Sequence, residues 1–150
     1  MSDLKVRLTE DMTTALRSGD RLRLSVLRLL VALIKNREVE KRGPLTDAEV
    51  LQAITASCKQ RQEAIEQFQR GGRADLVEKE TAELGILRSY LPTPLTEEEL
   101  RALVGAAIGE AQAVSPKDMG KVMAVLRPRV AGRADGKAVS ELVREMLAGT

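Results

Sequence analysis

Apolar side chains recur every three or four residues along almost the whole chain, which is the spacing of one helix face. An apolar residue at every fourth position from Leu4 to Leu16 predicts the first helix, and Gly19 is placed to end it. The segment from about Arg21 to Arg37 is apolar on most of its sides and predicts a central second helix. No segment alternates as a half-buried strand does, so we expect helices throughout.

Capping residues divide the rest of the N-terminal half into two helices. Thr46 and Glu49 have the spacing of a capping box, in which each side chain satisfies a free backbone donor, and they predict the start of a third helix. Gly71–Gly72 ends that helix, and Asp75 is the predicted cap of a fourth. This half is therefore expected to form a four-helix unit.

The segment Leu91–Leu95 contains two prolines in three residues, which forbids a continuous helix and favours an extended link. Beyond it, Thr96 predicts the start of a fifth helix. Ser115–Pro116 opens a sixth helix that ends by Pro128, and Asp135 caps a seventh. We expect an all-α fold with an N-terminal four-helix bundle, a Pro-containing link and a smaller three-helix C-terminal unit. The predicted domains are residues 1–91 and 96–150.

Composition limits what these helices can do. Hydrophobic residues make up 43% of the chain, but there is one Phe, one Tyr and no Trp, so the core consists of aliphatic side chains. The absence of His removes the commonest general base and the commonest metal ligand. Cys58, the lone thiol, lies on an apolar helix face, where core packing is the expected role. We therefore predict no catalytic residue, no metal site and no cofactor.

The same features bear on location. A single cysteine excludes a disulfide within the chain, which fits a reducing compartment. No apolar leader follows the first residues, and no apolar run approaches the roughly 20 residues that cross a membrane. We expect a cytoplasmic protein without a membrane partner.

Basic residues are concentrated in two segments although the net charge is only +2. Residues 117–137 carry six basic and two acidic side chains. Such a concentration predicts contacts with the phosphates of a folded RNA, because the scarcity of aromatic residues argues against stacking on single-stranded bases. A solvated basic surface is the alternative interpretation. The candidate phosphate ligands are Lys117, Lys121, Arg129, Arg133 and Lys137.

The second basic segment covers residues 21–42, with seven basic and two acidic side chains. Arg21, Arg28 and Lys35 share one narrow stripe of the second predicted helix and form a secondary basic stripe. They would extend an RNA footprint, or they are simply the solvated face of that helix.

A short repeat precedes two of the predicted helices: Gly72-Arg-Ala-Asp75 recurs as Gly132-Arg-Ala-Asp135. The simpler interpretation is a glycine turn followed by an aspartate cap. The alternative is that Arg73 and Arg133 mark ligand-binding loops.

Several segments spread over nearly the whole chain carry a family resemblance. They are Leu24–Leu30, Ile34–Glu38, Arg61–Ile65, Gly72–Leu76, Tyr90–Pro92, Asp118–Met123 and Gly132–Lys137. On these segments the chain resembles the YqeY-like proteins of the GatB/YqeY family. Those are stand-alone relatives of the tail domain of the B subunit of the aspartyl/glutamyl-tRNA amidotransferase.

The resemblance implies an N-terminal helical bundle and a smaller helical C-terminal unit. In the amidotransferase the tail helps to hold the tRNA while another domain performs the chemistry, and that domain has no counterpart here. The Gly120–Met123 and Gly132–Asp135 segments look like the tail, but they are about one helical turn further apart, so contacts within 124–131 transfer poorly.

Three functions follow from the residues and the resemblance together. The first is a non-catalytic tRNA-binding accessory module related to the transamidation system. The second is a helical module that binds a protein partner. The third is part of a carbon–nitrogen ligase that uses glutamine as its amido-nitrogen donor.

Overall fold

The computed structural model describes residues 2–149, and these form seven α-helices and one short 3₁₀ helix without any strand. This confirms the all-α prediction. The helices are α1 (Asp3–Ser18), α2 (Arg21–Lys41), α3 (Asp47–Arg70), α4 (Ala74–Arg88), α5 (Glu97–Ala111), α6 (Met119–Val130) and α7 (Gly136–Ala148). The 3₁₀ helix, Pro116–Asp118, directly precedes α6. No helix among these residues is long and apolar enough to span a membrane.

The first compact unit ends at Leu91 and contains α1 to α4. Its core is aliphatic, as expected, with Leu27, Ile34, Ile54 and Leu87 at most 1% exposed. Helix α3 packs along α4, α1 packs along α2, and α2 also contacts α3 and α4. The apolar second helix is therefore central to this unit.

The second compact unit begins at Pro92 and contains α5, α6 and α7, each of which contacts the other two. Val104, Val122, Leu126, Val143 and Leu147 are at most 1% exposed and form its centre. The predicted link is part of this unit, since the Leu95 amide donates to the Arg133 carbonyl over 2.8 Å.

Most predicted helix ends are present. Gly19 ends α1 in the left-handed conformation, with φ 76°, which glycine adopts without strain. Thr46 and Glu49 form the complete capping box at the start of α3. Thr96 accepts a hydrogen bond from the amide of Glu99 at the start of α5.

Four ends differ from the predictions. The start of α6 is one of them, because Pro116–Asp118 forms a 3₁₀ helix and α6 begins only at Met119. Helix α2 continues to Lys41 instead of ending near Arg37. Helix α6 continues through Pro128 to Val130, because Val130 is buried one turn beyond Leu126 and keeps the last turn on the core. Asp75 is not the cap of α4: it lies inside the first turn, where it pairs with Arg73 over 3.0 Å.

Candidate nucleic-acid interface

Lys117 and Lys121 lie together where α6 begins. Lys117 is exposed in the 3₁₀ helix and makes no ion pair or hydrogen bond with another described residue. Lys121 projects from the first turn of α6, with its side chain 72% exposed and its Nζ 3.9 Å from an oxygen of Asp118. Asp118 accepts a hydrogen bond from the Val114 amide, which lowers the pKa of its carboxyl group. One negative charge therefore accompanies these two positive charges.

Arg129 and Arg133 are already paired within the C-terminal unit. Arg129 contacts the Glu110 carboxylate of α5 over 2.7 Å. Arg133 donates to the Thr93 carbonyl over 2.9 Å and lies 3.8 Å from the Glu99 carboxylate. Both arginines therefore connect the α6–α7 region to α5 or to the segment before it.

Lys137 lies in the first turn of α7, where it is exposed and unpaired among residues 2–149. Asp135 occupies the N-cap position, but its side chain accepts no capping hydrogen bond. The predicted aspartate cap is therefore absent here, as it is at Asp75.

The five predicted phosphate ligands fall into two groups. Lys117 and Lys121 are at the start of α6, whereas Arg129, Arg133 and Lys137 begin in its last turn and continue into α7. Helix α6 has 12 residues and so is about 18 Å long. Arg127 lies between the groups on α6, exposed and unpaired within the described chain. The five phosphate ligands predicted from the sequence do not include Arg127, although it lies in the same basic segment.

The secondary basic stripe is fully present on α2. Arg21, Arg28 and Lys35 are all exposed, and none forms an ion pair or hydrogen bond with another residue of the described chain. They span about 21 Å along the helix axis. Unlike the cations of α6, they border exposed apolar side chains, among them Leu29 at 62% exposure.

The repeated Gly-Arg-Ala-Asp segments act as turns. Gly72 and Gly132 both adopt the left-handed conformation, with φ 68° and 74°. Each arginine has a partner within the protein: Arg73 pairs with Asp75 two residues away, and Arg133 donates to the distant Thr93 carbonyl. The geometry therefore supports the glycine turn of the simpler interpretation but not its aspartate cap.

The N-terminal unit contains polar groups that hold helices together. Arg61 of α3 donates to Glu80 over 3.1 Å and also to Glu83, both on α4. The Tyr90 hydroxyl donates to the Asp11 carboxylate over 2.5 Å. These pairs include residues of the Arg61–Ile65 and Tyr90–Pro92 segments, so those segments contribute to the fold.

Two observations bear on chemistry at these helices. Burial raises the pKa of the Cys58 thiol, which disfavours the thiolate that a nucleophile needs. Within residues 2–149, no group of three or more His, Cys, Asp or Glu side chains is arranged to hold a metal ion.

Comparison with known proteins places these features in a family. The family model described as Yqey-like protein matches residues 5–147. A relative from Pyrenophora tritici-repentis, named Altered inheritance of mitochondria protein 41, mitochondrial, is 32% identical over 94% of this chain and 79% of its own length.

Proteins of the same name from Lachancea thermotolerans and Eremothecium gossypii are 32% and 33% identical. The matches cover 76% and 73% of this chain. They cover 63% and 61% of the two relatives, so the chain spans less than two thirds of their length.

The names of these relatives contradict the cytoplasmic location expected from the sequence, because all three are mitochondrial proteins and point to that compartment. The cytoplasmic location was expected because no apolar leader is present. Mitochondrial transit peptides are amphipathic and rich in arginine, so that criterion does not separate the two compartments.

The similarity covers both helical units, and the match to the family model extends over nearly all of α1 to α7. The chain belongs to the YqeY-like protein family.

Proposed function

We propose that the chain is a non-catalytic accessory module that binds tRNA through the phosphates facing its C-terminal unit. The observation that carries this proposal is the exposure of Lys117, Lys121 and Lys137, whose ammonium groups have at most one distant acidic neighbour. The resemblance of this unit to the tail of a tRNA-dependent amidotransferase supplies the class of ligand.

The outward side of α6 fits a phosphate backbone. Gly120 and Ala124 lie on this side of the helix with Lys121 and Arg127, and all four are exposed. Because the two small residues do not project, a nucleic-acid strand can approach the helix closely and meet both cations. Arg129 and Arg133 have the supporting role of holding this surface on α5 through their carboxylate and carbonyl partners.

Folded RNA fits better than single-stranded RNA. The chain's one tyrosine, Tyr90, is only 4% exposed, so it offers no face on which a base can stack. Recognition then depends on the shape and phosphates of a folded molecule. We predict that labelled tRNA binds more tightly than a single-stranded polyuridine of equal length.

The salt dependence of tRNA binding tests the proposal. Each phosphate contact contributes a slope of roughly −0.7 to −0.9 in a plot of log affinity against log salt. Contacts by Lys117, Lys121 and Lys137 therefore predict a slope of about −2 to −3. Binding that does not depend on salt would exclude phosphate contacts.

A pair of matched variants locates the site. The double variant Lys117→Glu/Lys137→Glu should bind tRNA about tenfold more weakly or worse, because two attractive contacts become repulsive. Lys59→Glu/Lys79→Glu makes the same change in charge at two exposed lysines of α3 and α4 and should retain most affinity. Equal losses in both variants would show that only net charge matters.

The ligase hypothesis makes a separate prediction. A carbon–nitrogen ligase would form an amide from glutamine on a charged tRNA, whereas an accessory module leaves the charged tRNA unchanged. Amide formation by the purified chain alone would replace the accessory-module proposal.

A further inference from the structure

Helix α2 presents an outward face that no other helix of the N-terminal unit covers. Its residues follow the alternating three- and four-residue spacing of the a and d positions of a coiled coil. The face, here called the α2 seam, consists of Leu22, Ser25, Leu29, Ala32, Asn36 and Val39. All six are exposed, and the three large apolar members, Leu22, Leu29 and Val39, are 37%, 62% and 76% exposed.

The seam has the features of one half of a helix–helix interface. Leu22 and Leu29 are separated by one heptad, and the small residues Ser25 and Ala32 alternate with them. Small residues at these positions leave holes for the side chains of a facing helix. Asn36 occupies an a position, where a single polar residue fixes the register of a coiled coil at some cost in stability.

The cations of the secondary basic stripe flank this seam. Arg21, Arg28 and Lys35 each precede a seam a position by one residue, which is the g position of the heptad. Residues at g select the partner through charge pairing. Since all three cations are exposed and unpaired within the described residues, they favour a facing helix that carries carboxylates.

Concave surfaces lie on both sides of Leu29. One open cavity of about 390 Å³ is formed on α2 itself, between Leu29, Leu24 and the side chains of Arg21 and Arg28. A second of about 390 Å³ lies between α2, α3 and α4 and is bounded by Leu29 and Leu33. Leu29 therefore stands as a ridge between two grooves that can receive apolar side chains.

A second copy of α2 does not complement this surface. In an antiparallel pair, the g positions of the two helices face one another, so the cations of each copy repel those of the other. In a parallel pair, Arg21 and Arg28 face Val26 and Leu33, and only Lys35 meets an acidic residue, Glu40. The charges thus select a different chain.

We propose that the α2 seam binds an amphipathic helix of another protein, with apolar residues at heptad spacing and Asp or Glu opposite Arg21, Arg28 and Lys35. The surface lies on the N-terminal unit and includes none of the residues proposed for RNA binding. Helix α2 is already folded within the bundle, so only the partner helix loses conformational freedom on binding, and this favours the complex.

A pair of synthetic helices tests the proposal. Each has three heptads with Leu at a and d, and one has Glu at every e and g position whereas the other has Lys there. Like charges keep each peptide from pairing with itself. We expect the Glu peptide to bind the full chain at least about tenfold more tightly than the Lys peptide, with a difference that shrinks as salt is added.

Two variants locate the binding surface. Leu29→Glu should weaken binding of the Glu peptide about tenfold or more, because it places a carboxylate in the centre of the contact. Leu16→Glu is the matched control, since Leu16 is 59% exposed on α1 outside the seam. Circular dichroism of both variants should match that of the parent, because neither leucine is buried.

Reversal of the charges gives a second readout. The triple variant Arg21→Glu/Arg28→Glu/Lys35→Glu should prefer the Lys peptide. Equal binding of the two peptides by the parent chain, or equal effects of the two leucine variants, overturns the proposal. Two further results would overturn the proposal. If the chain dimerises and Leu29→Glu abolishes the dimer, the occupant of the seam is a second copy. If the chain binds anionic lipid vesicles and Leu29→Glu abolishes that binding, the occupant is a membrane.

Discussion

Arg61 of α3 donates to the carboxylate of Glu83 on α4, which is only 6% exposed. Glu80, one turn earlier on α4, accepts from the same guanidinium nitrogen. A buried carboxylate without its cation is costly, because the interior solvates its charge poorly. This cluster therefore ties the pairing of α3 and α4 to a single arginine.

Replacement of that arginine should destabilise the N-terminal unit. Arg61→Ala leaves Glu83 without its charged partner, and we expect a loss of about 3–5 kcal/mol in the free energy of unfolding. Urea unfolding followed by tyrosine fluorescence measures the loss, since Tyr90 is the one tyrosine and lies in this unit.

Two further variants check the cause. Arg73→Ala removes an exposed pair with Asp75 and should leave urea unfolding almost unchanged. Arg61→Leu/Glu83→Leu removes both buried charges and should recover much of the lost stability. A loss in the double variant as large as that of Arg61→Ala would rule out an unpaired buried charge as the cause.

Ionisation of Tyr90 should lower the free energy of unfolding at alkaline pH. Burial and the hydrogen bond to Asp11 raise the pKa of its hydroxyl from 10.0 to about 12. The unfolded chain therefore releases this proton about two pH units before the folded chain does. The stabilising contribution is complete below about pH 10 and falls by about 3 kcal/mol as the pH rises to about 12.

Absorbance of the tyrosinate measures both titrations directly, because the chain has one tyrosine and no tryptophan. The stability advantage of the parent over Tyr90→Phe should shrink across the same pH range, since the variant has nothing to ionise there. A folded-state midpoint near 10 would contradict the burial and hydrogen bonding of this hydroxyl.

Gly132 should be intolerant of a side chain. Its φ of 74° is a conformation that other residues adopt with strain, so Gly132→Ala should destabilise the C-terminal unit by about 1 kcal/mol. Gly109→Ala is the matched control, because Gly109 lies inside α5 with no neighbour within 4 Å of an added Cβ. The control should be stabilising by roughly 0.5–1 kcal/mol, as judged by circular dichroism during urea unfolding. Equal effects of the two changes would contradict this assignment of backbone strain.

Cys58 should react slowly with thiol reagents while the chain is folded. Its side chain is 7% exposed, so a reagent has little access to the sulfur. Burial also raises the pKa of the thiol, so little of it is present as the reactive thiolate. We expect labelling to accelerate by more than about a hundredfold in denaturing urea. Fast labelling of the folded chain would contradict the core position of this residue.

The sequence predicted the helices well because their apolar periodicity is strong, but local signals misplaced several ends. The apolar pattern predicted that α2 ends near Arg37, yet Glu38 accepts hydrogen bonds from Lys5 of α1 and from the Leu45 amide, which supports another turn. Asp75 is of a residue type that commonly caps helices, but its side chain pairs with Arg73 in the first turn of α4. The first difference depends on a partner 33 residues away in the chain, which a linear pattern does not identify.

The candidate RNA surface shows the same limit. Spacing alone placed Arg129 and Arg133 beside Lys117 and Lys137 as equivalent cations. The two arginines have acidic or carbonyl partners in α5 and the segment before it, more than ten residues away in the chain. Which cations are free depends on those tertiary contacts, so the sequence alone does not separate the paired arginines from the exposed lysines.

The two hydrophobic clusters have no buried residue in common. Each unit therefore has its own cooperative contacts, and emptying one cluster leaves the packing within the other intact. Calorimetry should accordingly resolve two heat-absorption peaks with separate enthalpies, and changes at Ile54 and at Leu126 should each shift a different one. A single melting temperature would then describe neither unit, because each would unfold with its own midpoint and enthalpy.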